Sequence, residues 1–191
     1  MHLLQAKAGG VSDGSEAVDL GQSPGDIVIL SAADTELACL AAAASAIEGN
    51  FPSVRLANLM HLAHPMSVDL YIDSVVSEAK LVVVRLLGGA SYWSYGVEQL
   101  VQICTDNGIA VALLPGDDQP DQELTGKSSL SPSDAHRLWQ YCVHGGLRNA
   151  HEMLHFAASL IGHVAPWVEP VPLPRAGIYW PGEEHIDLPT L

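Results

Sequence analysis

Four short runs of the chain are apolar almost without a break: IVILS at 27–31, SVRLA at 53–57, LVVVRLL at 81–87 and IAVALLP at 109–115. They lack the strict apolar/polar alternation of a half-buried strand, so they predict strands covered on both faces, as in a parallel sheet between helical layers. A fifth, LHLL-like run at residues 1–4 predicts a further strand. Between these runs the spacing turns helical. TELACLAAAASAIEG predicts a helix with Asp34 as N-cap and Glu36 in the first turn; a second is expected near 67–79 and a third near 93–107, ending at Gly108. Strand, helix, strand recurs, which predicts an α/β fold with an open, mostly parallel sheet flanked by helices. In such folds ligands lie beyond the carboxyl ends of the strands.

After Pro115 the chain becomes polar over GDDQPDQELTGKSSL, read as a loop, and then gives two helical patterns, SPSDAHRLWQYCVHGG and LRNAHEMLHFAASLIGH, split by Gly145 and Gly146. Alternating prolines at 164–174 predict an extended linker. RAGIYWPGEEHIDLPTL then starts like a strand without developing into a fold. The expected division is an α/β domain over 1–163 with a helical C-terminal part, a proline-rich linker over 164–174, and the truncated start of a following domain over 175–191.

Charge narrows the field. With 22 acidic and 8 basic residues the formal net charge is −14, a field that repels nucleic acid and anionic membrane surfaces. No run reads as a signal peptide or a membrane span, so the expectation is a cytoplasmic protein. Cys39, Cys104 and Cys142 are odd in number and sit in apolar or amphipathic segments, which predicts buried, reduced thiols.

Four motifs carry candidate chemistry. HEMLH, from His151 to His155, fits the zinc-protease pattern, in which two histidines one helical turn apart bind the metal and the glutamate polarises its water. Leu147, Ala150, Leu154, Ala157 and Ile161 form an apolar stripe with both histidines on its flank. The extended metzincin pattern is broken by Ala158 and Ile161, and the conceivable third ligands His163, Glu169, Glu183 and Glu184 sit on no recognisable helix, so no metal ligand is assigned. Gly126, Lys127 and Ser128 copy the end of a P-loop, but Asp121 stands where its first glycine belongs and the loop is acidic. His61 and His64 precede Pro65, which reads as a capped helix start. In LLGGASYWSYG, Arg85 and the strand end lead into Gly88 and Gly89, then Tyr92, Trp93 and Tyr95. Glycines permit close backbone approach, and polar-tipped aromatics suit a flat, partly apolar ligand or a protein interface.

Several long runs are familiar together: SDGSEAVDLGQSPGDIVILSAADTEL, then SVRLANLMHLAHPMSVDLYIDSVVSEAKLVVVRLLGGASYWSYGVEQL, then ALLPGDDQPDQEL, and finally RAGIYWPG. Over nearly its whole length the chain resembles the N-terminal region of the CobN family, the large subunits of ATP-dependent aerobic cobaltochelatases, related to the porphyrin-binding H subunit of magnesium chelatase. The resemblance implies a metal-chelating ligase that inserts cobalt into hydrogenobyrinic acid a,c-diamide, a corrin tetrapyrrole, during cobalamin biosynthesis. It further implies ATP, with Mg, hydrolysed by an AAA+ motor and its adaptor, with a macrocycle cavity formed mainly by the remaining large-subunit domains. This fragment alone is expected to be inactive and to bind no cofactor, and no catalytic residue is assigned. His64, Arg85, Gly88, Gly89, Tyr92, Trp93 and Tyr95 are the expected macrocycle-binding or interface residues. Ser94 stands where the family pattern has proline, and HEMLH lies outside that pattern. The alternatives are a non-catalytic scaffold domain of a chelatase subunit and, from a different class, a zinc metallohydrolase.

Overall fold

The structure is a computed structural model and describes residues 16–172. The run at 1–4 and the segment 175–191 lie outside these residues. Four strands form the sheet: β1 (Ile27–Ser31), β2 (Val54–Asn58), β3 (Leu81–Leu86) and β4 (Ala110–Pro115). All pairs are parallel and the order is β2-β1-β3-β4. Successive side chains alternate between two apolar layers. Val28, Leu30, Val82, Val84, Val111 and Leu113 face one; Ile27, Ile29, Leu81, Val83, Ala112 and Leu114 face the other. Burial on both faces is why these runs carry no polar alternation.

The first layer is covered by α2 (Pro65–Ser74) and α3 (Ser94–Asn107), the second by α1 (Asp34–Ala46), α5 (Pro132–His144) and α6 (Gly146–Leu160). Gly108 ends α3 in the left-handed conformation, as its place after the last periodic residue predicts. Two expectations are corrected. Asp34 is the first helical residue, not the cap; Ala33 holds the cap position, and Asp34 Oδ1 accepts from Asn58 Nδ2 at 2.6 Å. The polar stretch after Pro115 is not all loop, because it contains α4 (Gln122–Lys127). Asp121 accepts from the backbone N–H of Glu123 and Leu124 there, and Leu124 is buried.

Residues 164–172 form neither helix nor strand and are tied to α5 and α6. Asn149 Nδ2 donates to Val171 O and its Oδ1 accepts from Val171 N, both at 2.9 Å. Glu152 accepts from Val168 N, and the Tyr141 hydroxyl donates to Val168 O. The Arg137 guanidinium lies over Phe156 and Trp167 while pairing with Glu169. No helix of the described residues is long and apolar enough to cross a membrane.

Candidate functional site

The order β2-β1-β3-β4 makes the chain leave β1 toward one side and return to β3 on the other, so the loops beyond β1 and β3 diverge at the carboxyl edge. At the end of β3, Gly88 and Gly89 have φ of 91° and 75°, a region that costs a side-chain-bearing residue strain. They turn the chain into a short 3-10 turn, Ala90–Trp93, that feeds α3. Trp93 folds inward: it is 7% exposed and its indole Nε1 donates to Leu62 O at 2.8 Å. Tyr92 and Tyr95 stay outside. The Tyr92 hydroxyl meets Met60 Sδ at 3.3 Å, and the Tyr95 hydroxyl donates to Asp69 Oδ1 at 2.7 Å, a bond that raises the Tyr95 pKa. His64 caps α2, its Nδ1 accepting from Met66 N at 3.1 Å with Pro65 as first helical residue. Met60, Met66, Leu87, Tyr92 and Tyr95 are all large, apolar-bodied and exposed.

Arg85 goes elsewhere. Its position in β3, in step with Leu81 and Val83, turns its side chain to the α1, α5 and α6 face. There it pairs with Glu36 at 3.1 Å and donates to Gly116 O at 2.9 Å. Glu36 also accepts from Ser31 Oγ at 2.8 Å, so one carboxylate joins β1, α1 and β3. A cavity of about 270 Å³ adjoins this pair and is lined by Cys39, Cys142 and Met153 among others. All three cysteines are free thiols, Cys104 buried and the other two half-buried. Burial pushes the Cys104 thiol up to about 12, and burial with the nearby Glu36 carboxylate pushes Cys142 well above its ordinary value, which makes both poor nucleophiles. Of the expected site residues the structure therefore brings Gly88, Gly89, Tyr92, Trp93 and Tyr95 together, sets His64 at the start of α2, and separates Arg85 from them.

HEMLH is helical, in α6, with the His151 and His155 ring centroids 4.5 Å apart. Leu147 is exposed, so the apolar stripe begins one turn later than expected. Glu152 lies 3.2 Å from His151 Nδ1 and is also held by Val168 N, which binds it into the fold. Phe51 packs edge-on against both His155 and His163. Burial and the neighbouring His151 depress the His155 pKa, with Glu152 opposing. Among the described residues no three His, Cys, Asp or Glu side chains are placed to share a metal ion, so the three-ligand site of a zinc hydrolase is not formed there. Of the P-loop-like residues, Ser128 serves β4, its Oγ accepting from Leu113 N, and Lys127 pairs with Glu123 across one turn of α4. Met60, Met66 and Leu87 are the members of the exposed edge that the motifs did not mark; their only signal was large apolar side chains beside predicted turns.

Two curated proteins align with the chain over 182 residues, 95% of its length. One is the aerobic cobaltochelatase subunit CobN of a Sinorhizobium species, at 48% identity, and the other that of Pseudomonas aeruginosa, at 42%. The chain belongs to the CobN family. It spans 14% of the length of either CobN relative. Among solved structures it is similar to the catalytic subunit of cobaltochelatase from Mycobacterium tuberculosis, with a TM-score of 0.63 and 26% identity over 81% of this chain and 12% of that one. No family model matches the chain. The likeness to cobaltochelatase subunits thus rests on sequence and backbone shape together.

Proposed function

We propose that this chain is the N-terminal part of a cobaltochelatase large subunit that acts in the cytoplasm and inserts cobalt into hydrogenobyrinic acid a,c-diamide during cobalamin biosynthesis. The observation that carries this reading is the 48% identity to a CobN subunit over 95% of the chain. ATP with Mg is used by the partner subunits, an AAA+ motor and its adaptor, and cobalt is the cargo of the complete enzyme. A chelatase must hold a macrocycle while its nitrogens lose protons and a metal enters, which takes an enclosed site with a base. The carboxyl edge of this domain is open and apolar, a form suited to docking. Residues 1–163 form the domain, 164–174 its connection, and 175–191 the start of the next unit.

Within that enzyme we assign the exposed edge, Met60, Met66, Leu87, Tyr92 and Tyr95, to contact with the remaining large-subunit domains. Gly88 and Gly89 turn the chain that carries Tyr92, Trp93 anchors the following turn to Leu62 O, His64 fixes the start of α2, and Arg85 braces β3 from the other face. The corrinoid, itself flat and partly apolar, is the second occupant this edge fits, because Tyr92 and Tyr95 offer ring faces with polar tips.

The test uses the complete subunit with its motor and adaptor. Tyr92→Asp combined with Tyr95→Asp is expected to lower ATP-dependent cobalt insertion by at least about tenfold, the effect of losing one central interface anchor. The same change should lower the melting temperature of the 191-residue chain only slightly, through loss of the Tyr95–Asp69 hydrogen bond, since both side chains are exposed. Fluorescence titration with metal-free corrinoid separates the two occupants: lost affinity in the variant favours substrate contact, and unchanged affinity with failed assembly favours docking. A complete unaltered subunit that supports no ATP-dependent cobalt insertion contradicts the functional reading itself.

A further inference from the structure

The helical setting of HEMLH does more than satisfy a pattern of letters. Residues four apart on a helix lie one above the other on the same face, and α6 places His151 and His155 in that relation. Their ring centroids are 4.5 Å apart and the rings are tilted by 44°. A metal about 2.1 Å from one nitrogen of each ring, its two bonds between a right angle and a tetrahedral one, sets the centroids about 4.5 to 5 Å apart. The two imidazoles therefore already stand at a chelating separation, and the edge of Phe51, 5.2 Å from the His155 ring, packs that ring in place.

The ring nitrogens are also free to ligate. His151 Nδ1 lies 3.2 Å from Glu152 Oε1, and a carboxylate only accepts, so Nδ1 carries the proton and Nε2 the lone pair. An outer carboxylate that fixes the tautomer in this way is how metal-binding histidines are oriented. The His151 side chain is 39% exposed, which gives ions access to it. His155 makes no hydrogen bond to any described residue, and its Nδ1 is buried without a partner. Buried polar atoms are nearly always partnered, so this one is an exception that a bound ion would account for. Its depressed pKa leaves the ring neutral at neutral pH, and an arriving cation has no proton to displace.

We propose that His151 and His155 together chelate one divalent transition-metal ion on the face of α6, with water filling its remaining positions. Imidazole nitrogen selects the late first-row ions, Co(II), Ni(II), Cu(II) and Zn(II), over Mg(II) and Ca(II), which take oxygen ligands. The net charge of −14 raises the concentration of any cation near the surface. His163 packs on the same Phe51 ring, yet it is not placed to share the ion with the other two. A site with two protein ligands holds its ion exchangeably. Glu152 is engaged by His151 and by Val168 N, so no free general base stands beside the ion, and the site binds a metal without hydrolysing anything. This inference is independent of the cobaltochelatase reading.

Calorimetric titration of the 191-residue chain with Ni(II) at neutral pH tests it. One saturable site is expected, weakened at least about tenfold by His151→Ala and by His155→Ala alike, because either change leaves a single imidazole where two acted together. His61→Ala, which removes an exposed histidine on another element, should leave the affinity unchanged. Since His155 packs against Phe51, a reading that needs no variant goes with it: Zn(II) added to the unaltered chain should shift the ring C–H resonances of His151 and His155 and leave those of His61 in place. Absence of saturable Ni(II) binding overturns the proposal. So does binding that keeps its strength in both histidine variants, or Zn(II) that moves the His61 resonances and not those of His151 and His155.

Discussion

Gly96 carries no side chain, and this is what lets Trp93 fold back over the start of α3. A Cβ at position 96 would stand 2.0 to 2.4 Å from the indole ring, so any larger residue expels it. Tyr92 and Tyr95, the close neighbours of Trp93 in the chain, stay exposed. A different kind of local control acts at Asp26. Its carboxylate accepts from Ser53 Oγ at 2.7 Å, pairs with Lys80 at 2.9 Å and accepts from Ser53 N at 2.8 Å, and these contacts hold its pKa well below the usual carboxylate range. With the folded pKa depressed, the unfolded chain takes up the proton first as pH falls. The contribution is fully present above the unfolded value of about 4 and is lost on acidification through the folded one. Thermal melting should show it: the melting temperature falls from about pH 5 to pH 3, and Asp26→Asn makes that slope shallower while lowering stability at neutral pH. Equal slopes would remove Asp26 from the account.

Among the elements, the strands are the part that was legible in the sequence. Runs such as IVILS and LVVVRLL match β1 and β3 to within a residue, because burial on both faces leaves no polar positions to blur the pattern. Helix ends marked by Pro65 and Gly108 were legible for the same local reason. Strand order was not, since it depends on which helices cover which face. The Arg85–Glu36 pair was not legible either, being a contact between residues 49 positions apart; without it Arg85 read as a neighbour of the aromatic group. The attachment of residues 164–172 as a strap to α5 and α6 was not legible, because its partners are single side chains such as Asn149. That residue is buried and serves Gly145 O, Val171 O and Val171 N together. Asn149→Ala should cost about 2 kcal/mol in urea unfolding, the penalty for leaving such groups unpaired. In hydrogen exchange the Val168 and Val171 amides should lose protection before any strand amide does. Unchanged protection there would show that Arg137 and Trp167 hold the strap alone.

For the molecule as a whole, the acidic surface and the apolar edge make a contrast. A chain of net charge −14 repels copies of itself almost everywhere, while Met60, Met66, Leu87, Tyr92 and Tyr95 present large apolar side chains at the carboxyl edge. Exposed apolar side chains collected in one region mark a place where something binds. The chain spans 14% of the length of its CobN relatives, and the rest of such a subunit is the partner assigned to that edge. Oxidative footprinting of the complete subunit beside the 191-residue chain tests this most directly, because thioether and phenol oxidation follow solvent access. The account predicts that Met60, Met66 and Tyr92 oxidise several-fold more slowly in the complete subunit, with Leu147 on α6 labelled equally in both. Equal labelling of Met60, Met66 and Tyr92 in the two would contradict it.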